Sequence, residues 1–179
     1  MQKEWFVKFN LTLHDTTTTS TGQHFSVIQL TQGESHGVYG SRIASLWFYK
    51  TGNVFEFSID TYNEDFIYTP YDKRNPPYEL NHEYNIHMQT ESAVLDGNQI
   101  HKTWISVDGV LVGVVYNHKA QVLNDVKVYC GGPWHDVFDA TIKDLEYGSW
   151  SSTGLTQGDQ TTYCFLYAHT SNTYCPPRL

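Results

Sequence analysis

The chain has little positive charge, few cysteines and no long apolar run, and each shortage narrows what it can be. Eleven lysines and arginines stand against 19 aspartates and glutamates, a formal net charge of −8. A surface this acidic repels phosphate backbones, so nucleic acid is not an expected partner. No stretch reaches the roughly 18 consecutive apolar residues that a membrane helix needs, so no span is expected. The start, MQKEWFVKF, has no apolar run of signal-peptide type, so the chain is either cytosolic or begins after a removed signal. Three cysteines do not settle the compartment. Cys130 alternates with Val126 and Val128 and reads as a buried free thiol, whereas Cys164 and Cys175 are close enough to close a small loop.

Aromatic residues are what the chain has in excess: 13 tyrosines, 9 phenylalanines and 5 tryptophans, 15% of the residues. That surplus favours strands over helices. The 179 residues suffice for one large all-β domain, or a domain with a tail. Period-two alternation recurs along the sequence. Trp5, Val7, Phe9, Leu11 and Leu13 share one face of a strand over Glu4–Leu13. Gln23–Thr31 forms a second strand with Phe25, Val27 and Gln29 on one side. Ile43–Lys50 and Val54–Tyr62 flank a short Thr51-Gly52-Asn53 turn. Phe66–Pro77, with Pro70 and the Pro76-Pro77 pair, reads as a long exposed loop. Tyr78–Thr90 is a further strand region, and Leu95-Asp96-Gly97-Asn98 a turn. Asp108-Gly109 between Lys102–Val107 and Val110–Tyr116 is the strongest hairpin cue. Asp125–Tyr147 reads strand, rigid Gly131-Gly132-Pro133 corner, strand. About ten short strands so spaced predict an all-β, antiparallel two-sheet sandwich over residues 1–149. Residues 150–179 form a polar C-terminal extension.

The order of several short pieces resembles the concanavalin A-like, laminin G-like jelly roll of extracellular animal adhesive and matrix modules. The pieces are Ile28-Gln29-Leu30-Thr31, Tyr39 to Phe48, Trp104-Ile105-Ser106-Val107-Asp108-Gly109, Val126-Lys127-Val128-Tyr129 with Gly132-Pro133-Trp134, and Ile142-Lys143-Asp144-Leu145. The resemblance spans Glu4–Tyr147. It implies a secreted, non-catalytic recognition or matrix module that binds glycan or an extracellular protein, and it does not choose the ligand. The sequon Asn10-Leu11-Thr12 points the same way.

Aromatic rings offer stacking faces for sugar C–H surfaces, and polar neighbours hydrogen-bond the hydroxyls. Tyr62, Tyr68, Tyr71, Asp72 and Arg74 crowd one rim in this way, with Trp134 and His135 at the neighbouring corner. Asp60, Asn63, Glu64 and Asp65 cluster where a strand ends, an oxygen-rich set suited to calcium.

Enzymes on the same sandwich, glycoside hydrolases and polysaccharide lyases, are the main alternative. Glu56 and Asp60 share a strand face but stand about 13 Å apart along it, against the roughly 5–9.5 Å of a glycosidase pair. Gln99-Ile100-His101 is similar to a short motif of alginate-lyase-like sandwiches, whose arginine-bearing strand is missing: Arg42 and Arg74 both read as loop residues. A self-associating structural domain is the third reading. The expectation is therefore a binding module without turnover, working through rim loops.

Overall fold

In a computed structural model, residues 3–14, 24–32, 42–49, 54–61, 65–69, 78–117, 120, 122, 126–130, 139–151, 154–155 and 160–161 are described. They form strands joined by turns and irregular segments, with no helix among the described residues. The strands are β1 Glu4–Leu13, β2 His24–Gln32, β3 Arg42–Tyr49, β4 Val54–Thr61, β5 Asp65–Thr69, β6 Glu83–Leu95, β7 Asn98–Val107, β8 Val110–Asn117, β9 Val126–Cys130, β10 Ala140–Ser151, β11 Gly154–Leu155 and β12 Gln160–Thr161. They build two antiparallel sheets. The larger has seven strands in the order β11-β10-β1-β6-β7-β8, with β12 also on β10; the smaller has five, β5-β4-β3-β2-β9. Two strands from the C-terminal extension thus belong to the larger sheet.

The sheets stack through one apolar cluster. Trp5, Val7, Phe9, Leu11 and Leu13 of β1 enter it at 4% exposure or less, as the alternation requires. Ile86 and Met88 of β6, Ile105 and Val107 of β7, and Ile142 and Leu145 of β10 join them. Val27, Ile28, Leu30, Leu46, Phe48 and Val128 close the cluster from the smaller sheet. A buried hydroxyl pair, Thr90 and Thr103 at 2.6 Å, crosses β6–β7 on the core side. One hydroxyl donates and the other accepts, so both buried oxygens have a partner.

Both Asp-Gly signals make two-residue hairpins. Asp96 (φ 51°) with Gly97 (φ 78°), and Asp108 (φ 50°) with Gly109 (φ 76°), adopt left-handed backbone at both turn positions. That is the twist-matching turn for antiparallel strands. The second tip is latched to β6: Asp108 Oδ1 accepts from the Asn85 N–H at 2.7 Å, and the Asp108 N–H donates to the Asn85 carbonyl at 2.8 Å. Gly109→Val is expected to cost about 1–2 kcal/mol, because a side chain at positive φ meets the carbonyl oxygen; urea unfolding measures it.

Three sequence expectations need correction. Residues 65–69 are not loop: Asp65–Thr69 pairs with β4 from Thr61↔Asp65 to Phe57↔Thr69. The nearby prolines begin only at Pro70, so they do not obstruct the ladder. Arg42 is not a loop residue but opens β3, opposite Thr31. Gln29 does not share a face with Val27. The β2–β3 register shifts between Ser26 and Ile28, so Val27 is the extra residue of a bulge. Val27 and Ile28 both enter the core, and Ser26 and Gln29 both turn to the outer face.

Candidate functional site

That bulge creates the feature from which a site can be built. On β3, Leu46 and Phe48 belong to the core cluster, so Ser45 and Trp47 occupy the other face of the smaller sheet. Their cross-strand partners on β2 are Gln29 and Ser26. An outer sheet face normally meets water, yet these four are closed off: exposure is 1% for Ser26, 0% for Gln29 and Ser45, and 4% for Trp47. Gln29 Nε2 donates to Ser26 Oγ at 2.7 Å. Gln29 Oε1 and Ser45 Oγ are shielded and have no hydrogen-bond partner. Such orphaned polar atoms each carry a cost of about 1–3 kcal/mol, so a fold keeps them where they do something.

The register extends this polar pair across the whole sheet. Tyr129 of β9 pairs with Gln29, Gln29 with Ser45, Ser45 with Ser58 of β4, and Ser58 with Tyr68 of β5. One row therefore reads Tyr129–Gln29–Ser45–Ser58–Tyr68. Four strand spacings make it about 19 Å long. A tyrosine position closes each end, with amide and hydroxyl positions between. Alongside, Thr31 pairs with both Lys127 and Arg42, which puts two cationic positions in the adjacent row. On the far side the Trp47 row runs on to Glu56.

The sequence-derived candidates are distributed differently. Asp60 and Asp65 lie at the closed end of the β4–β5 hairpin, where Thr61 pairs with Asp65 and Asp60 with Phe66. Tyr68 is the β5 end of the polar row. Tyr62, Asn63, Glu64, Tyr71, Asp72, Arg74, Trp134 and His135 lie outside the described residues, as do Cys164 and Cys175. Gln99-Ile100-His101 sits on β7 of the larger sheet, away from this row. Its His101 is held below the ordinary histidine range, first by burial and then by the charge of Lys3. Cys130 packs against the core, and burial pushes its thiol pKa up to about 12, far from the thiolate that nucleophilic chemistry needs. Among the described residues no group of three or more His, Cys, Asp or Glu is arranged to hold a metal ion. Nor is any described helix long and apolar enough to cross a membrane. Sequence reasoning missed Gln29 because the bulge, not the alternation, decides its face, and Ser45 because nothing around it in the sequence distinguishes it.

The outer face of the larger sheet is built otherwise. His87 stands beside Trp104, ring centroids 4.6 Å apart and edge to face at 69°. Burial, then the positive charge of Lys8, lowers the His87 pKa below the ordinary 6.5, and a hydrogen bond with Gln89 opposes the shift. The fold thus favours neutral His87, and the unfolded chain takes up its proton first as pH falls. This contribution to stability is full above pH 6.5 and is lost as pH drops through the lower folded pKa. Urea midpoints at pH 7.5 and pH 5 are expected to fall with acidification, and His87→Gln to flatten the slope.

Among known proteins, no family model and no curated protein matches the chain. Solved structures do. Alginate lyase vAL-1 from Chlorella virus superposes with a TM-score of 0.57 at 9% identity, over 84% of this chain and 72% of that one. Alginate lyase Aly36B is similar in two mutant forms. One, in complex with alginate tetrasaccharide, gives a TM-score of 0.47 at 14% identity, over 85% of this chain and 62% of that one. The other, in complex with alginate trisaccharide, gives 0.44 at 15%, over 87% and 65%. The likeness to vAL-1 establishes a shared fold, the antiparallel jelly-roll sandwich. The expectation of a non-enzymatic module is overturned here: vAL-1, the structure that shares this fold, is an enzyme, an alginate lyase. The sandwich half of the sequence resemblance stands, and the adhesive-module half gains nothing from them.

Proposed function

We propose that the protein is a carbohydrate-active enzyme of the polysaccharide-lyase type, working on the outer face of the smaller sheet. The observation that carries this reading is the shielded pair Gln29 and Ser45, each with a side-chain oxygen lacking a partner, at the centre of a cross-sheet row. Sugar hydroxyls are the chemically complementary groups: a hydroxyl donates to an amide oxygen such as Gln29 Oε1 and exchanges hydrogen bonds with a hydroxyl such as Ser45 Oγ. A water-poor polar floor also strengthens any electrostatic contact made on it. The fold shared with alginate lyase vAL-1 agrees with the assignment.

Lyases cleave uronate polymers by β-elimination. A base removes the proton beside the carboxyl group, the resulting electron pair forms the C=C bond, and the glycosidic oxygen leaves with a proton. The cationic positions Arg42 and Lys127 beside the row suit the substrate carboxylates, in a chain whose overall charge of −8 would otherwise repel them. Tyr129, paired with Gln29, is the phenol to which this reading gives the proton transfer. Alginate is the first substrate to test, by the ultraviolet absorbance of the unsaturated product. Tyr129→Phe is expected to lower turnover by about 100-fold or more with little change in KM. Wild-type protein that releases no unsaturated ends from any uronate polymer would refute the reading.

A further inference from the structure

The outer face of the larger sheet carries a second aromatic row that the proposed reaction does not use. Phe6 of β1 pairs with Gln89 of β6, and Gln89 with Trp104 of β7. All three are half-buried and alternate with core residues, so they share the outward face. Two strand spacings set the ring positions about 9.6 Å apart, with an amide between them. The next row holds Lys8, His87 and Ser106. Lys8 Nζ lies 5.2 Å from the Phe6 ring centroid, and His87 braces Trp104 edge to face. Gln89 Nε2 donates to Glu91 Oε2 at 3.3 Å, and Glu91 Oε1 meets Lys102 Nζ at 2.9 Å. His87 Nε2 is shielded and has no hydrogen-bond partner.

We infer that the Phe6–Gln89–Trp104 row is a second polysaccharide-binding surface, one that holds the polymer without cutting it. Ring positions two strands apart suit the C–H faces of alternate sugars along an extended polymer. The amide between them meets the ring-edge hydroxyls, and His87 packs against the Trp104 ring beside it. The bracing of Trp104 by His87 and the Glu91–Lys102 pair fix the row before a ligand arrives, which reduces the ordering cost of binding.

The test is affinity electrophoresis of the full chain through gels containing alginate or a neutral β-glucan, alongside turnover of a short alginate oligosaccharide. Trp104→Ala and Gln89→Leu are expected to bind the polymer about tenfold or more weakly while short-substrate turnover and the melting temperature stay unchanged. The gel that retards the wild type tells an acidic ligand from a neutral one. Because Gln89→Leu leaves the core untouched, it separates lost binding from lost folding if Trp104→Ala unfolds. Retardation that survives Gln89→Leu would overturn the inference. So would retardation lost only on changing Gln29 or Tyr129, or a wild type that neither gel retards. Wild-type retardation abolished by Gln89→Leu without any turnover would keep this surface while removing the lyase reading.

Discussion

Gln29→Leu is expected to lower turnover of a uronate polymer by about 100-fold or more while leaving the protein as stable as before, or more so. The two halves of this result have one cause. Gln29 is fully buried, yet its Oε1 has no hydrogen-bond partner. Leucine has nearly the same volume and nothing to leave unsatisfied, so the substitution removes a liability of about 1–3 kcal/mol. Against that gain stands the hydrogen bond to Ser26 at 2.7 Å, with a net value of about 1 kcal/mol. The balance is near zero or stabilising. Substrate binding loses the amide altogether, and one missing polar contact in a water-excluded site costs about 10²–10³ in rate. Turnover and thermal melting, measured on one preparation, give both numbers. A destabilised but fully active Gln29→Leu would make the residue structural.

Phe9→Ala is expected to be the most damaging single change to the fold, at about 3–5 kcal/mol. Phe9 is 1% exposed in the middle of β1, between β6 and β10. The β1–β10 register slips at this point: Lys8 pairs with Glu146 and Asn10 with Lys143, so Asp144 and Leu145 both oppose Phe9. Asp144 takes left-handed backbone, φ 51°, and its carboxylate accepts from Asn10 Nδ2 at 3.1 Å. The bulge lets Ile142 and Leu145 both face inward although they are three residues apart. The ring therefore fills space where the sheet cannot close by regular pairing, and alanine would leave a cavity there. Urea denaturation should show a lower midpoint with an unchanged slope.

Much of the architecture is legible in the residues themselves. The Trp5-to-Leu13 alternation, the two Asp-Gly turns and the Val126–Cys130 strand all follow from side-chain period and backbone freedom, which act locally. What the residues conceal is where the period breaks. The bulge at Val27 looks like an uninterrupted strand, because Ser26, Val27, Ile28 and Gln29 contain no glycine or proline to mark it. A shift of one position moves every following side chain to the other face. Gln29 thereby leaves the core side and joins Ser45, a residue with no distinguishing sequence context. Arg42 was hidden for a related reason: it follows a Gly-rich segment, and only pairing with Thr31 reveals it as strand. The aromatic rim and the acidic cluster were visible as composition, and only Asp60, Asp65 and Tyr68 of those residues fall on described strands. A sheet face assembled from five separate strands leaves no compact signature in the chain.

The central claim is that the Tyr129–Gln29–Ser45–Ser58–Tyr68 row is where sugar meets protein. A crystal structure of Tyr129→Phe soaked with alginate tetrasaccharide tests it most directly. The account predicts saccharide density laid across the smaller sheet, with hydroxyls within hydrogen-bonding distance of Gln29 Oε1 and Ser45 Oγ. Ordered saccharide elsewhere, with those two oxygens still unpartnered, would contradict it.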